Sequence, residues 1–214
     1  MILAFNTSLS DLHIGLFSDE GNPLAEFHKK PLPDERGIHD ALLAQKTSDL
    51  LNELSAAAKD ISIITFINGP GSFTGLRIGL AFAKGMAFGS GTSLVPLIAH
   101  SVLLKSYQTQ FPQSRNPIPD PRTPILYPGY AKDSFYISYS NEPYKVEYIL
   151  LSELLKMNLG EFICSPELDS ISIPHHTVSI SLQTMALMAV SGKDFTPLAD
   201  LEPFYGTDFK PGKQ

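Results

Sequence analysis

The sequence is poor in cysteine, in basic charge and in long apolar runs. Cys164 is the only cysteine, so no intramolecular disulfide can form. The first residues lack the basic region and the apolar length of a secretion signal. The most apolar stretch, 75–90, carries Arg77 and Lys84 and is shorter than the roughly 20 residues that span a bilayer. These absences predict a cytoplasmic protein without a membrane segment.

The charge balance argues against a protein that binds nucleic acid by itself. Lys and Arg number 16 against 22 Asp and Glu, which gives a formal net charge of −6. A tRNA would meet a repulsive average field unless a partner supplied the basic surface. Hydrophobic residues make up 43% of the 214 positions, enough for the core of one large or two small domains.

The first hundred residues alternate between strand and helix patterns. Short β-rich runs at 2–5, 13–18 and 24–29 predict an opening meander, and 39–59 has leucines at helical spacing. A β-branched strand at 61–68 follows, and then a glycine-rich helix. This order predicts an α/β fold with a mixed sheet and helices packed on it.

The composition changes between residues 111 and 128, where six prolines occur. Proline is excluded from helix interiors and from central strands, so this segment is predicted to be a loop or linker that leads into a second lobe. Further elements are predicted beyond it: strands at 134–140, 144–150 and 161–164, and helices at 151–157 and 181–190.

The segment after the fourth predicted strand raises the question of why a helix should contain Gly75, Gly79 and Gly85. Each glycine costs about 1 kcal/mol relative to alanine. A phosphate-binding P-loop is excluded because its lysine is absent, and the glycine spacing is one residue too long for the dinucleotide fingerprint. An anion bound by the backbone amides of 72–75 stays open as an alternative.

Small residues recur along this helix in two strips. Close helix packing would use such strips, because backbones can then approach until they touch. The spacing leaves two alternatives open: both strips pack inside the monomer, or one strip, with Arg77 and Lys84 beside it, meets another subunit. The first strip consists of Gly71, Gly75, Gly79 and Ala83, and the second of Ala81, Gly85 and Gly89.

The segment Gly69-Pro-Gly-Ser-Phe-Thr-Gly-Leu-Arg-Ile-Gly-Leu-Ala-Phe-Ala-Lys-Gly85 resembles the signature of the bacterial TsaB (YeaZ) family. Ile2-Leu-Ala-Phe-Asn-Thr-Ser8 is similar to the opening strand of that family. His39 with its following helix and Pro203-Phe-Tyr205 also match family features. The resemblance covers the first hundred residues well and is faint from 105 to 200.

The resemblance implies an actin-like or hexokinase-like (ASKHA) fold with two ribonuclease H-like lobes. The N-terminal lobe would comprise residues 1–104, joined by the tail at about 195–214. A smaller, divergent second lobe would comprise residues 105–194.

The resemblance also implies a function without a reaction centre, cofactor or metal. It implies a scaffold or dimerisation subunit that binds and activates TsaD, in the complex that adds threonylcarbamoyl to the adenosine adjacent to the anticodon of tRNAs reading ANN codons. A homodimer is implied for the chain alone, a TsaE-like ATPase is a further implied partner, and tRNA contact would come only through the complex. The implied interface residues are Gly71, Gly75, Arg77, Gly79, Ala83 and Lys84.

Departures from the family pattern bear on the chemistry. Asn6 stands where the fold usually has an aspartate that organises magnesium, and an amide is a poorer ligand for a hard cation. His100 is followed by Leu104, which breaks the His-x3-His metal pair of the catalytic relative. A stand-alone small-molecule kinase or ATPase of the same fold remains the rival interpretation. His175 and His176, as neighbours in an extended segment, are expected to point to opposite faces.

Overall fold

A computed structural model describes residues 1–35, 37–112, 120, 122–157, 159–168, 171, 175–192 and 199–206. The chain divides into two compact units. The first comprises Met1–Asn68, Ser72–Leu97 and Leu182–Pro203. The second comprises Gly69–Gly71, Ile98–Ser181 and the residues from Phe204 onward.

The first unit is built on a five-stranded mixed sheet in the order β3-β2-β1-β4-β5. β1 pairs antiparallel with β2 and parallel with β4, and β2 pairs antiparallel with β3. The strands are β1 (Ile2–Asn6), β2 (Leu12–Phe17), β3 (Pro23–Lys29), β4 (Ile63–Gly69) and β5 (Ser93–Ile98). The helices are α1 (Ile38–Glu53), α2 (Phe73–Ser90) and α5 (Leu182–Ser191), with a 3₁₀ turn at Ala58–Asp60.

The core of this unit lies between the sheet and its helices. Leu3, Phe5 and Ile14 are fully buried and belong to one cluster with apolar side chains of α1 and α2. α5 contacts β1 and β2. β1 is buried on both faces, since Ile2, Leu3, Ala4 and Phe5 are all fully buried, so a continuous apolar run supplies its core positions.

The second unit contains another five-stranded mixed sheet, in the order β10-β9-β6-β7-β8. β6 pairs antiparallel with β7 and parallel with β9, and α3 packs against β6, β8 and β9. The strands are β6 (Pro124–Pro128), β7 (Ser134–Tyr139), β8 (Glu142–Leu150), β9 (Phe162–Cys164) and β10 (His175–Thr177). The helices are α3 (Ala99–Gln110) and α4 (Leu151–Leu154), with a 3₁₀ turn at Pro166–Leu168.

The prediction that prolines exclude a central strand between 111 and 128 is wrong for its last part. β6 lies in the middle of the second sheet, between β9 and β7. Its two prolines, Pro124 and Pro128, occupy the ends of the strand, so the residues between them keep the N–H groups that the ladder needs. Residues 113–119 and 121 of the predicted linker lie outside the described part of the chain.

The compact units differ from the predicted lobes at several places, two of which involve helices. The first unit ends at Leu97, before α3, because α3 packs on the second sheet. α5 belongs to the first unit because it packs on β1 and β2. Of the predicted tail, residues 195–198 and 207–214 lie outside the described residues. Among the described helices, none has the length and apolar character needed to cross a membrane.

Candidate partner-binding surface on α2

α2 begins and ends at residues suited to helix boundaries. The Ser72 Oγ accepts a hydrogen bond from the Gly75 backbone N–H at 3.2 Å, which caps the first turn. Gly91 ends the helix in the left-handed conformation with φ 71°, where a side chain would be strained. The helix is therefore well delimited despite its internal glycines.

One side of α2 lies directly on β1. A Cβ added to Gly75 would lie 1.9 Å from the Thr7 carbonyl oxygen, and one added to Gly79 would lie 2.5 Å from the Thr7 Oγ1. The Thr7 hydroxyl also donates to the Gly75 carbonyl oxygen at 2.9 Å. The backbone of α2 thus touches the backbone of Thr7, the residue that follows β1, and a side chain at Gly75 would not fit there.

This contact corrects the predicted interface. Gly71, Gly75, Gly79 and Ala83 are buried within the chain, so they offer no surface to a partner. For this strip, the alternative of packing inside the monomer holds, and the close approach to β1 compensates the conformational cost of the glycines. Of the six residues, only Arg77, which is exposed, and Lys84, which is half-buried, reach the surface.

The opposite side of α2 is open, and we call it the outer face. Phe88 is 89% exposed, and a Cβ added to Gly85 or Gly89 would meet nothing within 4 Å. The Arg77 guanidinium lies over the ring of Phe73, with its carbon 3.7 Å from the ring centroid. The outer face consists of Thr74, Arg77, Ala81, Lys84, Gly85 and Phe88, which follow one another at helical spacing of three and four residues.

α1 packs against α2 and extends the exposed area. Its exposed positions include Ala41, Ala44 and Ser48, again small residues at helical spacing. Exposed acids accompany them, while α2 carries only the two cations Arg77 and Lys84. The neighbouring helices therefore differ in charge. The exposed acids of α1 are Asp40, Asp49 and Glu53.

Asn6 has a structural role at the end of β1. Its side-chain oxygen accepts hydrogen bonds from the Ser8 N–H at 2.9 Å and from the Ser8 hydroxyl at 2.6 Å. The amide thus holds the turn that leads toward β2. The Ser8 hydroxyl serves this turn, and the Ser72 hydroxyl serves the α2 cap.

His100 is fully buried in α3 and not part of a metal pair. Its Nε2 lies 3.1 Å from the Tyr136 carbonyl oxygen, and its Nδ1 has no hydrogen-bond partner among the described residues. Burial lowers the pKa of His100 to about 4, so the ring is neutral at pH 7. Within the described residues, no three His, Cys, Asp or Glu side chains converge to hold a metal ion.

The adjacent His175 and His176 lie in β10, whose successive side chains alternate between faces. The His175 ring stacks on Phe162 at 5.2 Å, whereas the His176 Nε2 lies 3.2 Å from a Glu161 carboxylate oxygen. The two imidazoles therefore have different partners, in agreement with the predicted opposite orientations.

Comparisons with known proteins identify related chains. The model of the TsaD family, tRNA N6-adenosine threonylcarbamoyltransferase, matches residues 37–126. The TsaB protein of Escherichia coli, "tRNA threonylcarbamoyladenosine biosynthesis protein TsaB", is 32% identical over 107 residues, which are 50% of this chain and 42% of that protein. Its Bacillus subtilis counterpart is 32% identical over 130 residues, 60% of this chain and 53% of that protein. The structure of YeaZ from Pseudomonas aeruginosa superposes with a TM-score of 0.64 at 17% identity, covering 95% of this chain and 98% of that one.

Two mixed sheets flanked by helices, together with the structural match to YeaZ, define a protein of the ASKHA fold with two ribonuclease H-like units. Within that fold, the sequence is similar to several TsaB proteins, at 32% to 36% identity. The chain spans about half the length of the curated relatives it matches.

Proposed function

We propose that the chain is a non-catalytic subunit that binds a TsaD-like catalytic subunit in tRNA threonylcarbamoyladenosine biosynthesis. The observation that carries the proposal is the outer face of α2, which is open to solvent although it combines small residues with an exposed phenylalanine. The family matches supply the reaction, because the related proteins are named for this biosynthesis.

Packing energetics favour a helical partner on this face. A side chain as large as Phe88, left 89% exposed, would release about 1.5 to 3 kcal/mol if it were fully buried. Gly85 and Ala81 let a partner helix approach closely beside it, because Gly85 has no side chain and Ala81 has only a methyl group. The outer face thus combines an exposed aromatic side chain, which a partner would bury, with small residues on which a partner helix would pack.

The charge of the outer face indicates which partner surfaces are complementary to it. Arg77 and Lys84 make the outer face cationic, so a complementary partner presents carboxylates there. A TsaD-like subunit would need such an acidic strip. In a homodimer of the chain alone, the acids of α1 in the second copy could supply it, since like-charged α2 helices would repel. The net charge of −6 leaves tRNA contact to the complex.

The structural roles of the candidate polar residues support a chain without a reaction centre. Asn6 holds a turn, Ser72 caps α2, and His100 is sealed in the second unit away from solvent. None of these groups is poised beside a nucleophile or a base at a solvent-accessible site.

The test compares Gly85→Phe with the unchanged chain in binding to the TsaD-like subunit of the same cell. We expect Gly85→Phe to weaken the complex at least tenfold, because the new ring would fill the space in which the partner helix packs. Sedimentation of the purified pair measures the dissociation constant. Gly160→Phe is the matched control, since Gly160 also lies in open space but belongs to the second unit.

Two outcomes would contradict the proposal. Equal binding by Gly85→Phe and the unchanged chain would remove the outer face from the interface. Hydrolysis of ATP by the isolated chain, measured with magnesium present, would instead favour the stand-alone kinase or ATPase and end the non-catalytic assignment.

A further inference from the structure

The second unit contains a cavity of about 530 Å³ near one end of the strands of its sheet. Four neighbouring strands contribute there: Pro124 begins β6, Tyr139 ends β7, Glu161 immediately precedes β9, and His176 lies in β10. Tyr107 of α3 lines another side. The volume is within the range of about 300 to 1,000 Å³ that is typical of small-molecule sites.

Much of the wall is apolar and held by ring contacts. Tyr107 is only 6% exposed, and its ring lies 5.1 Å from Phe111 and 5.3 Å from His176. Such aromatic contacts fix the orientation of the ring at the wall. Leu159 and Pro124 add aliphatic surface. The wall therefore offers a preformed place for an apolar or aromatic group.

A tight turn presents a cation to the cavity. The Asp120 carboxylate accepts a hydrogen bond from the Arg122 backbone N–H at 2.8 Å, and the Asp120 carbonyl accepts one from the Ser140 hydroxyl at 2.6 Å. These bonds pin the turn that carries Arg122. In the part of the chain that the structure describes, no carboxylate forms an ion pair with the Arg122 guanidinium.

Two carboxylates line the same cavity. Besides Asp120, Glu161 lies there with its oxygen 3.2 Å from the His176 Nε2. A purely anionic ligand would be repelled by both carboxylates. A purely cationic ligand would be repelled by the Arg122 guanidinium. A ligand that carries one charge of each sign suits the whole set.

We infer that this cavity binds a free α-amino acid with an apolar or aromatic side chain. Its carboxylate pairs with the Arg122 guanidinium, the geometry that arginine favours. Its ammonium group lies toward the carboxylates of Asp120 and Glu161, and its side chain packs on Tyr107 and Leu159. This site is separate from the proposed function, because the described residues that line it all belong to the second unit.

The experiment titrates the full chain with each of the standard amino acids and follows binding by ligand-observed NMR. We expect an apolar or aromatic member, with L-phenylalanine as the leading probe, to bind with a dissociation constant near or below about 1 mM. 3-Phenylpropionate lacks the ammonium group and phenethylamine lacks the carboxylate, so each should bind at least tenfold more weakly.

Variants assign the binding to the cavity. Arg122→Gln should weaken binding of the amino acid at least tenfold. Glu161→Gln should also weaken its binding but leave the binding of 3-phenylpropionate unchanged. Arg77→Gln, the same change on α2, should leave binding unchanged. The inference is overturned if no standard amino acid binds at concentrations up to about 10 mM, if phenethylamine or 3-phenylpropionate binds as well as L-phenylalanine, or if Arg122→Gln binds normally with an unchanged melting temperature.

Discussion

α2 of the first unit and α3 of the second each follow a strand and pack on a sheet, but they do so in opposite ways. α2 meets the end of β1 through glycines, with the Gly75 backbone in contact with the carbonyl of Thr7, the residue that follows the strand. α3 meets its sheet through side chains that include the fully buried His100, whose Nε2 lies 3.1 Å from the Tyr136 carbonyl oxygen. The α2 contact depends on the absence of side chains, whereas the α3 contact buries a polar side chain.

The difference shows where each unit is vulnerable. A contact without side chains tolerates no added atom, whereas a buried imidazole tolerates only one protonation state. The first unit is therefore sensitive to side-chain volume at α2, and the second unit is sensitive to pH at α3. On the outer face of α2, neither restriction applies, because Gly85 and Phe88 contact little of the chain itself.

The largest effect is expected for Gly75→Ala. The new Cβ would lie 1.9 Å from the carbonyl oxygen of Thr7, the residue that follows β1, so the helix must move away from the end of the strand. We expect a loss of about 3 kcal/mol in the free energy of unfolding, at the upper end of usual overpacking costs. Urea denaturation at pH 7 measures it. A loss below the roughly 1 kcal/mol of an ordinary substitution would show that α2 and β1 are not in tight contact.

A smaller effect is expected for acidification of the second unit. The pKa of His100 is about 4 in the folded chain because of burial, against 6.5 when exposed. The unfolded state therefore binds a proton first, so the stability that this residue contributes is complete above pH 6.5 and is lost as the pH falls toward 4. Between pH 7 and pH 5, the expected loss is about 2 kcal/mol.

His100→Leu isolates this contribution. Burial also lowers the pKa of His13 in β2, which adds a pH dependence of the same sign. The test therefore compares the pH dependence of urea denaturation in the variant and in the unchanged chain. The variant should show the shallower decline, although removing the imidazole lowers its stability at pH 7 by leaving the Tyr136 carbonyl without that partner. Parallel declines would mean that His100 is accessible to protons in the folded state.

The two units also differ in how much the sequence could predict. The first three strands follow from short β-rich runs and α1 from helical spacing, and the α/β class follows from their order. β6 was not predicted, because in the sequence prolines at the ends of a strand look the same as prolines that break a strand. β5 and α3 carry no pattern that sequence analysis used. The cavity of the second unit is lined by segments far apart in the chain, which no local spacing brings together.

The glycines of α2 show the same limit within one helix. Gly75, Gly79 and Gly85 look alike in the sequence, and small-residue spacing predicts only that some surface comes close. Which side of the helix faces β1 depends on the position of Thr7, and this is set by the pairing of β1 with β2 and β4. For this reason, the spacing alone assigns the interface to Gly71, Gly75, Gly79 and Ala83, the strip that the structure buries.

The smallest effect, and the one that separates the two strips most directly, is expected for Gly85→Ala. The substitution matches Gly75→Ala in chemistry and in helix, but the added Cβ meets nothing within 4 Å. Alanine restricts the unfolded chain and has the higher helix propensity, so the free energy of unfolding should rise by up to about 1 kcal/mol. Urea denaturation of the two alanine variants side by side gives the result. If Gly85→Ala destabilised the isolated chain as Gly75→Ala is expected to, the outer face would already be covered by another part of the same molecule, and its assignment to a partner would fail.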